Sequence, residues 1–203
     1  MQLLAACQKS TTVQRLVVKS SAAVYGSTPR DPAMFTEDMG AKRTPSGGFG
    51  KDSIEVEGYV RGFARRSPDT QILTLRFANI IGPRIRTSIT DYFNLPVVPA
   101  PMGFDARMQF MHEDDAIDAL QLASTGDVTG VVNLAGDGVV TVLQAAAIVG
   151  RPVVPMPLSA AGFVGGLARR SGLADFSPDQ MSFLAYGRGL DTTRMRTLLG
   201  FDP

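Results

Sequence analysis

The sequence has little of several features that mark particular protein classes. Its 203 residues contain one cysteine, Cys7, so no internal disulfide can form. A single thiol fits a reducing compartment, and we expect a cytoplasmic protein. Because Cys7 lies in an apolar, helix-like run, we predict a buried structural thiol rather than a nucleophile.

Charge of one sign is not in excess either. Lys and Arg number 20 and Asp and Glu number 19, which gives a net charge of +1. Bulk electrostatics therefore indicates no nucleic-acid partner and no acidic membrane surface. The longest weakly apolar run, Leu158 to Ala168, has about half of the roughly 20 residues that a membrane span needs. The first ten residues also lack the basic and apolar regions of a signal peptide.

Histidine is equally scarce. The only one, His112, has no cysteine or second histidine to share a metal ion, so we expect no metal site. We expect His112 instead to hold a strand–helix junction together with Asp115. The remaining composition, 44% hydrophobic and 19% charged residues, is typical of a globular domain with a sizeable core.

A short apolar run that ends in paired serines is the feature around which the rest is organised. We predict a strand from Leu16 to Ser21, and ligands of open α/β sheets bind beyond the carboxyl ends of such strands. Ser21 is either a ligand-facing hydroxyl or a cap for the backbone at the strand end. Strand alternation places Lys19 on the same face as Ser21, where it either faces the site or lies at its rim.

The following segments predict alternating helices and strands. A helix from about Asp52 to Arg66 has Asp52 and Glu55 as a plausible capping pair and Glu57–Arg61 as an i,i+4 ion pair. Its apolar face consists of Val56, Tyr59, Val60 and Phe63. Further strands or extended pieces are predicted at Gln71–Ala78, Met108–His112, Gly130–Ala135 and Pro152–Pro157. Further helices are predicted at Asp114–Ala123 and Val140–Val149, with a mostly helical region from Ala160 to Leu199.

Four motifs occur in a recognisable order: Ser20–Gly26, Leu75–Pro83, Phe110–Ala116 and Val132–Gly138. They resemble the motifs of the extended short-chain dehydrogenases/reductases, the nucleotide-sugar epimerase and dehydratase family, with UDP-glucose 4-epimerases as the most similar members. Each motif alone is weak. Their order and spacing make the resemblance specific over roughly residues 1–140.

The resemblance implies an α/β, Rossmann-like parallel sheet with a small C-terminal substrate-binding subdomain. Residues 1–83 and about 126–140 would form the C-terminal half of the dinucleotide-binding domain, and residues 84–125 and 141–203 the substrate-binding subdomain. The family's glycine-rich dinucleotide turn belongs to its first βα unit, and no such turn occurs here at a strand-to-helix junction. We therefore expect a fragment of a longer protein, or a truncated gene product, in which the first βα units are missing.

The resemblance also implies a catalytic Tyr-x-x-x-Lys motif after the serine, but this sequence departs from it. Phe49 stands at the Tyr position and Ser53 at the Lys position, so neither the phenol nor the ammonium is present. Losing a positioned acid/base costs about 10²–10⁴ in rate. The implied cofactor is NAD. The residues expected near it are Ser20, Ser21, Tyr25, Phe77 and Ala78.

The implied substrate is a nucleoside diphosphate sugar (NDP-sugar), and we expect a UDP-hexose. The candidate substrate residues are Asn79, Arg84, Arg107 and His112. Asn79 is alternatively a turn residue, and Arg84, like Arg86, is alternatively a solvated charge. The family's pyrophosphate-binding arginine aligns with Met108, so Arg107 is one residue out of register. Family members often dimerise through the helix that corresponds to Asp52–Arg66.

Three functions remain open at this point. The first is an NAD-dependent NDP-sugar epimerase or dehydratase, with NAD held mainly by segments upstream. The second is a non-catalytic member that binds a sugar nucleotide or NAD, which the replacements Phe49 and Ser53 favour. The third is a fragment without independent function, because a sheet that lacks its first strands has an unpaired edge that invites aggregation or pairing with another chain.

Overall fold

Three parallel strands form the largest sheet of the structure, a computed structural model that describes residues 2–45, 47–158 and 178–203. They are β1 (Arg15–Ser21), β2 (Gln71–Phe77) and β7 (Gly130–Leu134), in the order β1-β2-β7. The register pairs Ser21 with Phe77 and Phe77 with Leu134, so the carboxyl ends of all three strands lie at one edge. The predicted α/β class with a parallel sheet is confirmed.

Helices and short strands surround this sheet. The helices are α1 (Gln2–Lys9), α2 (Gly48–Arg66), α3 (Ser88–Phe93), α4 (Glu113–Thr125), α5 (Val142–Ile148), α6 (Pro178–Tyr186) and α7 (Thr193–Thr197). A 3-10 turn, Ala22–Tyr25, follows β1 directly. The short strands pair as β3 (Asn79–Ile81) with β6 (Phe110–His112), β4 (Val98–Pro101) with β9 (Val153–Met156), and β5 (Arg107–Met108) with β8 (Val140–Thr141). The first two pairs are parallel and the third is antiparallel.

Helix α2 begins earlier than the sequence predicts. It starts at Gly48, and its N-cap, Gly47, makes no side-chain hydrogen bond, so the predicted capping pair of Asp52 and Glu55 is wrong. The predicted apolar face is half correct: Val60 and Phe63 are buried, whereas Val56 and Tyr59 are exposed. The paired glycines 47 and 48 fit this early start, because Gly48 adopts φ +58°, which other residues rarely do.

Two smaller predictions also need correction. Cys7 is only half-buried, and none of the residues of α1 is buried. The single strand predicted from Met108 to His112 is divided at Gln109. That side chain is buried and accepts a hydrogen bond from the Leu190 N–H at 2.6 Å, so the chain leaves β5 and enters β6 around a satisfied polar group.

The sheet has its own apolar core. Leu73 and Leu75 pack against Ala116, Ala119 and Ala123, and these small residues let α4 approach the strands closely. Met195 and Leu199, within and after α7, belong to the same core. The sequence-based division assigns α4 and α7 to the substrate-binding subdomain, but their packing groups them with the sheet.

A second core lies between α3, α5, α6 and the short strands. It includes Ile89, Tyr92, Val98, Val142 and Leu184. The elements around it lie within residues 84–125 and 141–203, the ranges that the sequence-based division assigns to a substrate-binding subdomain. The helical region predicted from Ala160 to Leu199 is present as α6 and α7, and its residues 160–177 lie outside the described part of the chain. Within the described residues, no helix combines the length and the apolar character that crossing a bilayer requires.

Candidate functional site

A cavity of about 580 Å³ opens at the carboxyl ends of β1 and β2. This is the edge at which parallel α/β sheets bind ligands, and the volume falls in the range of ligand pockets. The end of β1 contributes Ser20 and Ser21, and the end of β2 contributes Phe77. The rest of the lining includes the start of α2, the start of α3, helix α6, Arg188 and Leu190.

The two serines of β1 have different roles. The Ser20 hydroxyl is buried and donates to Glu57 Oε1 at 2.6 Å, so it fixes α2 against the strand. Ser21 accepts a hydrogen bond from the Ala23 N–H at 3.1 Å and caps the 3-10 turn. Its hydroxyl proton is free to point elsewhere, and Ser21 also lines the cavity. Both alternatives for Ser21 are therefore compatible with its position.

Phe49 and Ser53 occupy different environments. Phe49 lines the cavity, and the residue is 64% exposed. Ser53 is buried one turn further along α2, and its hydroxyl donates to the Phe49 carbonyl at 2.7 Å. The side chain at the expected lysine position therefore bonds to its own helix and does not line the cavity. Phe49 thus has no exchangeable proton, and the hydroxyl proton of Ser53 is already used in a hydrogen bond to the helix backbone.

Lys19 lines the cavity together with Ser21, as strand alternation predicts. Its ammonium lies 5.7 Å from the centroid of the Phe77 ring, at the outer limit of a cation–π contact. It is the only lysine among the described residues that line the cavity. An ammonium here can bind an anion or exchange a proton with a bound ligand.

Tyr25, expected near the cofactor, lies in a buried polar network and does not line the cavity. Its hydroxyl donates to Asn133 Oδ1 at 2.7 Å and accepts from Arg76 Nη1 at 2.9 Å, while its ring stacks on Phe35. Burial raises the pKa of Tyr25, against the opposing influence of Arg76. This phenol is held protonated in the core and cannot replace the missing Tyr.

An ion pair lies at the centre of the same network. Arg76 donates from Nε to Glu57 Oε1 at 2.9 Å and from Nη2 to Oε2 at 2.7 Å. Burial alone would raise the pKa of Glu57, but the hydrogen bonds from Arg76 and Ser20 outweigh it, and the pKa is lowered. The network therefore joins β1, α2 and β2 through charged groups that stay ionised.

The four predicted substrate residues are not brought together. Asn79 lines the cavity, and Arg84, Arg107 and His112 do not. Arg84 is paired with Glu113 at 3.0 Å and also with Asp114, as expected of a charge satisfied at the surface. Arg107 is exposed on β5.

His112 does hold the junction between β6 and α4, but its partner differs from the predicted Asp115. Its Nδ1 accepts a hydrogen bond from the Asp114 N–H at 3.2 Å. Asp114 is the second residue of α4, one of the two positions whose N–H an N-cap side chain accepts, and the predicted Asp115 is the other. Among the described residues, no three His, Cys, Asp or Glu side chains are grouped as a metal site would need.

The sequence did not single out several residues that the cavity contains. They are Arg43, Gln109, Asp179 and Arg188. Arg188 had a signal, because it stands between two glycines. A Cβ at Gly187 would lie 2.4 Å from the Arg107 carbonyl oxygen, and one at Gly189 would lie 2.7 Å from the Ala33 carbonyl oxygen. Close packing on both sides fixes the position of the arginine.

The cavity residues fit one end of a dinucleotide. Ser21, Phe77 and Ala78 present a hydroxyl and apolar surface, which suits a nicotinamide ring and its ribose. Lys19, Arg43 and Arg188 add positive charge, against Asp179 as the only carboxylate among the described lining residues. A glycine-rich turn for the dinucleotide phosphates is absent from this sequence. The rest of a dinucleotide would have to contact other segments.

The fold is α/β, with a cavity at the carboxyl edge of its parallel sheet. The sequence model described as "NAD dependent epimerase/dehydratase family" matches residues 1–135. A Mycobacterium tuberculosis protein described as uncharacterized is 45% identical over 203 residues, which are 100% of this chain and 54% of the relative. The UDP-glucose 4-epimerase 2 of Oryza sativa subsp. japonica is 39% identical over 69 residues, 34% of this chain and 16% of that protein.

Solved structures share the fold. The UDP-glucuronic acid 4-epimerase of Bacillus cereus, in complex with UDP-glucuronic acid and NAD, has a TM-score of 0.72 at 19% identity, covering 100% of this chain and 60% of that one. MoeE5 in complex with UDP-glucuronic acid and NAD has a TM-score of 0.71 at 23% identity, covering 99% and 63%.

The chain belongs to the NAD-dependent epimerase/dehydratase family. The predicted resemblance is confirmed. The chain spans about half the length of the Mycobacterium tuberculosis relative.

Proposed function

We propose that the full-length protein containing this chain is a nucleotide-sugar epimerase or dehydratase that uses NAD and acts on an NDP-sugar, with UDP-hexose as the expected substrate. The observation that supports this most is the cavity at the carboxyl ends of β1 and β2, with Ser21 and Phe49 in its walls. Family membership adds to it. We place this function in the cytoplasm, consistent with the single cysteine.

In this function the chain's residues bind and orient the sugar, and NAD supplies hydride acceptance and return. Ser21 can donate its free hydroxyl proton to a sugar oxygen. Lys19 is the candidate proton-transfer group, because Phe49 has no exchangeable proton and Ser53 is bonded to the Phe49 carbonyl. Asn79 is the candidate sugar-nucleotide contact on the β2 side, since its amide makes no hydrogen bond within the described residues and it lines the cavity.

The positions of Phe49 and Ser53 favour a second candidate function. A non-catalytic family member would keep the cavity and lose the groups that move the proton. In that case the protein binds its sugar nucleotide, or NAD, without turnover, as a sensor or a scaffold subunit. The same cavity supports both candidates, so the measurement that separates them is turnover and not binding.

The deciding experiment uses full-length protein purified from its own cell. The catalytic function predicts NAD retained after gel filtration and conversion of at least one UDP-hexose, followed by chromatography of the sugar nucleotides. Binding of UDP-hexose without conversion would support the non-catalytic member. Failure to bind either NAD or any UDP-sugar would contradict both functions.

We further propose a homodimer through α2. Val56 and Tyr59 are 46% and 45% exposed on this helix, although both are large and apolar. Exposed apolar side chains that lie one helical turn apart are suited to a protein interface. They lie on the helix that the family resemblance nominates.

A further inference from the structure

Only the oxygen of the Gln109 side-chain amide is hydrogen-bonded within the protein. It accepts from the Leu190 N–H at 2.6 Å. Because a backbone N–H can only donate, this bond identifies the oxygen and turns the Nε2 group, with its two N–H donors, the other way. Nε2 makes no hydrogen bond in the part of the chain that the structure describes. Gln109 therefore carries a free donor.

This donor is within reach of a ligand. Gln109 borders the cavity at the carboxyl edge of the sheet, although the residue as a whole is only 6% exposed. Among the described residues that are not exposed, Arg188 Nε is the only side-chain nitrogen or oxygen that is both sealed from solvent and unpaired. Since Gln109 Nε2 is unpaired as well, it keeps accessible surface.

The amide cannot turn to find a partner inside the protein. Leu190 forms a β-bridge with Phe35, and the Arg188 N–H donates to the Arg107 carbonyl at 3.0 Å, so the segment that holds the Gln109 oxygen is fixed on both sides. Rotating the amide would leave the buried Leu190 N–H without an acceptor, which is costly. The free donor thus has a fixed position in the cavity wall.

We propose that Gln109 Nε2 binds an acceptor oxygen of the sugar nucleotide in this cavity. The inference rests on the proposed function. Asn79 pairs in register with Phe110, the residue after Gln109, and brings a second side-chain amide to the same cavity. A donor that is already fixed loses little conformational freedom on binding. Sugar hydroxyls, phosphates and the uracil carbonyls all offer such an oxygen, and the choice of probes separates them.

The test is Gln109→Glu in the full-length protein, with UDP and UDP-glucose as probes in calorimetry. This variant keeps the oxygen that accepts from Leu190 and replaces the donor by a second carboxylate oxygen, which repels an acceptor. UDP-glucose should bind about 10- to 100-fold more weakly than to wild type. An equal loss for UDP would place the bound oxygen on the UDP part, and unchanged binding of UDP would place it on the sugar. Both results support the proposal.

Two controls separate a lost contact from added charge. Gln121→Glu makes the same change at an exposed position of α4 outside the cavity and should keep the wild-type affinity. The ratio of wild-type to Gln109→Glu affinity should also persist in 1 M NaCl, where the Debye length is about 3 Å. A ratio that falls to one in high salt would show long-range repulsion only and overturn the inference.

A measurement on wild type avoids any effect of the substitution on folding. In NMR spectra the Gln109 Nε2 protons are assigned through their contact with the Leu190 N–H. Saturation with UDP-glucose should shift these resonances and slow their exchange with solvent. Gln109 also borders a second cavity of about 440 Å³, together with Asp137 and Asp191. Unchanged shifts and exchange would mean that the donor faces that second cavity, and the inference would fail.

Failure of the inference differs from failure of the proposed function. If wild type and Gln109→Glu bind UDP-glucose equally, the inference is wrong, and the proposed function stands because the sugar nucleotide still binds. If wild type binds neither probe, the proposed function is contradicted, and the inference with it.

Discussion

Arg76 and Glu57 form a buried, two-bonded ion pair that joins the middle strand of the sheet to helix α2, with N–O distances of 2.9 and 2.7 Å. Ser20 donates to the same carboxylate, and Tyr25 accepts from the same guanidinium. The walls of the cavity at β1 and α2 are thus held in register by one charged network. Its integrity can be tested apart from ligand binding.

Arg76→Met should lower the free energy of unfolding by about 3–5 kcal/mol, because it leaves Glu57 as an uncompensated buried charge. Arg61→Met is the matched control: Arg61 also lies near Glu57, at 3.5 Å, but its side chain is 63% exposed. Its loss should cost less than about 1 kcal/mol. Urea denaturation of both variants measures the difference. Equal effects would mean that the buried pair contributes no more than the exposed one.

The pH dependence of stability should report on Glu57. Its pKa is lowered in the folded protein from the ordinary value of 4.5, so its contribution is fully present above about pH 4.5 and is lost as the pH falls through the folded pKa. Glu57→Gln should therefore be less stable than wild type at neutral pH and show a flatter loss in acid. Glu55→Gln is the control, because Glu55 is exposed and pairs only with the exposed Lys51, and this variant should keep the wild-type pH profile. Parallel profiles for wild type and Glu57→Gln below pH 4.5 would refute this assignment.

Restoring the missing proton-transfer groups should create or raise turnover. The double variant Phe49→Tyr with Ser53→Lys should increase kcat for a UDP-hexose by about 10²–10⁴ over wild type. Phe49→Leu with Ser53→Lys serves as the control, since it has the lysine without a phenol. Melting curves are needed beside the assay, because Ser53 is only 8% exposed and a lysine there must reach the cavity from a buried position. A folded double variant that binds UDP-hexose without any gain would show that the cavity positions its ligand differently from the family.

Lys19→Met should decrease the turnover of the full-length protein by about 10²-fold if wild type is active, since Lys19 would then provide the proton transfer that Phe49 cannot. Lys51→Met is the control, because Lys51 lies on α2, is exposed and does not line the cavity. The kcat and KM of both variants should be measured separately. An unchanged kcat in Lys19→Met would identify Lys19 as a rim residue.

The proposed dimer is tested by charge placed on α2. Val56→Glu should convert a dimer into a monomer in sedimentation experiments, because it buries a carboxylate at an apolar contact. Glu55→Lys, on the neighbouring exposed position, should have little effect. A wild-type protein that sediments as a monomer at high concentration would contradict the proposed interface.

The parallel sheet was accessible from the sequence because each strand is a short apolar run with a clear end. The runs Leu16–Ser21 and Gly130–Ala135 agree with β1 and β7 to within one residue at each end. The start of α2 could not be predicted from the sequence, because the helix begins at a glycine pair that carries no capping side chain. A glycine gives no side-chain signal for a helix start, and Asp52 gave a false one.

The site was predicted less completely than the fold. Ser21, Lys19 and Asn79 were found because each stands at or near a strand end, where pattern and topology agree. Arg84 and His112 were predicted as site residues but do not line the cavity. Their contacts with Glu113 and Asp114 become visible only in three dimensions. Arg188 was missed although it stands between two glycines, because the close packing that holds it becomes visible only in three dimensions.

Gly50 sets how close α2 comes to the serine turn. A methyl group at this position would lie 3.0 Å from Pro45 Cβ and 3.2 Å from the Ala23 carbonyl oxygen. Gly50→Ala would therefore move the start of the helix outward by a few tenths of an ångström, and Phe49 would move with it. The width of the cavity between α2 and the serine turn thus depends on the absence of a single carbon atom. A family member with alanine here would need a wider serine turn to keep the same spacing between helix and strand.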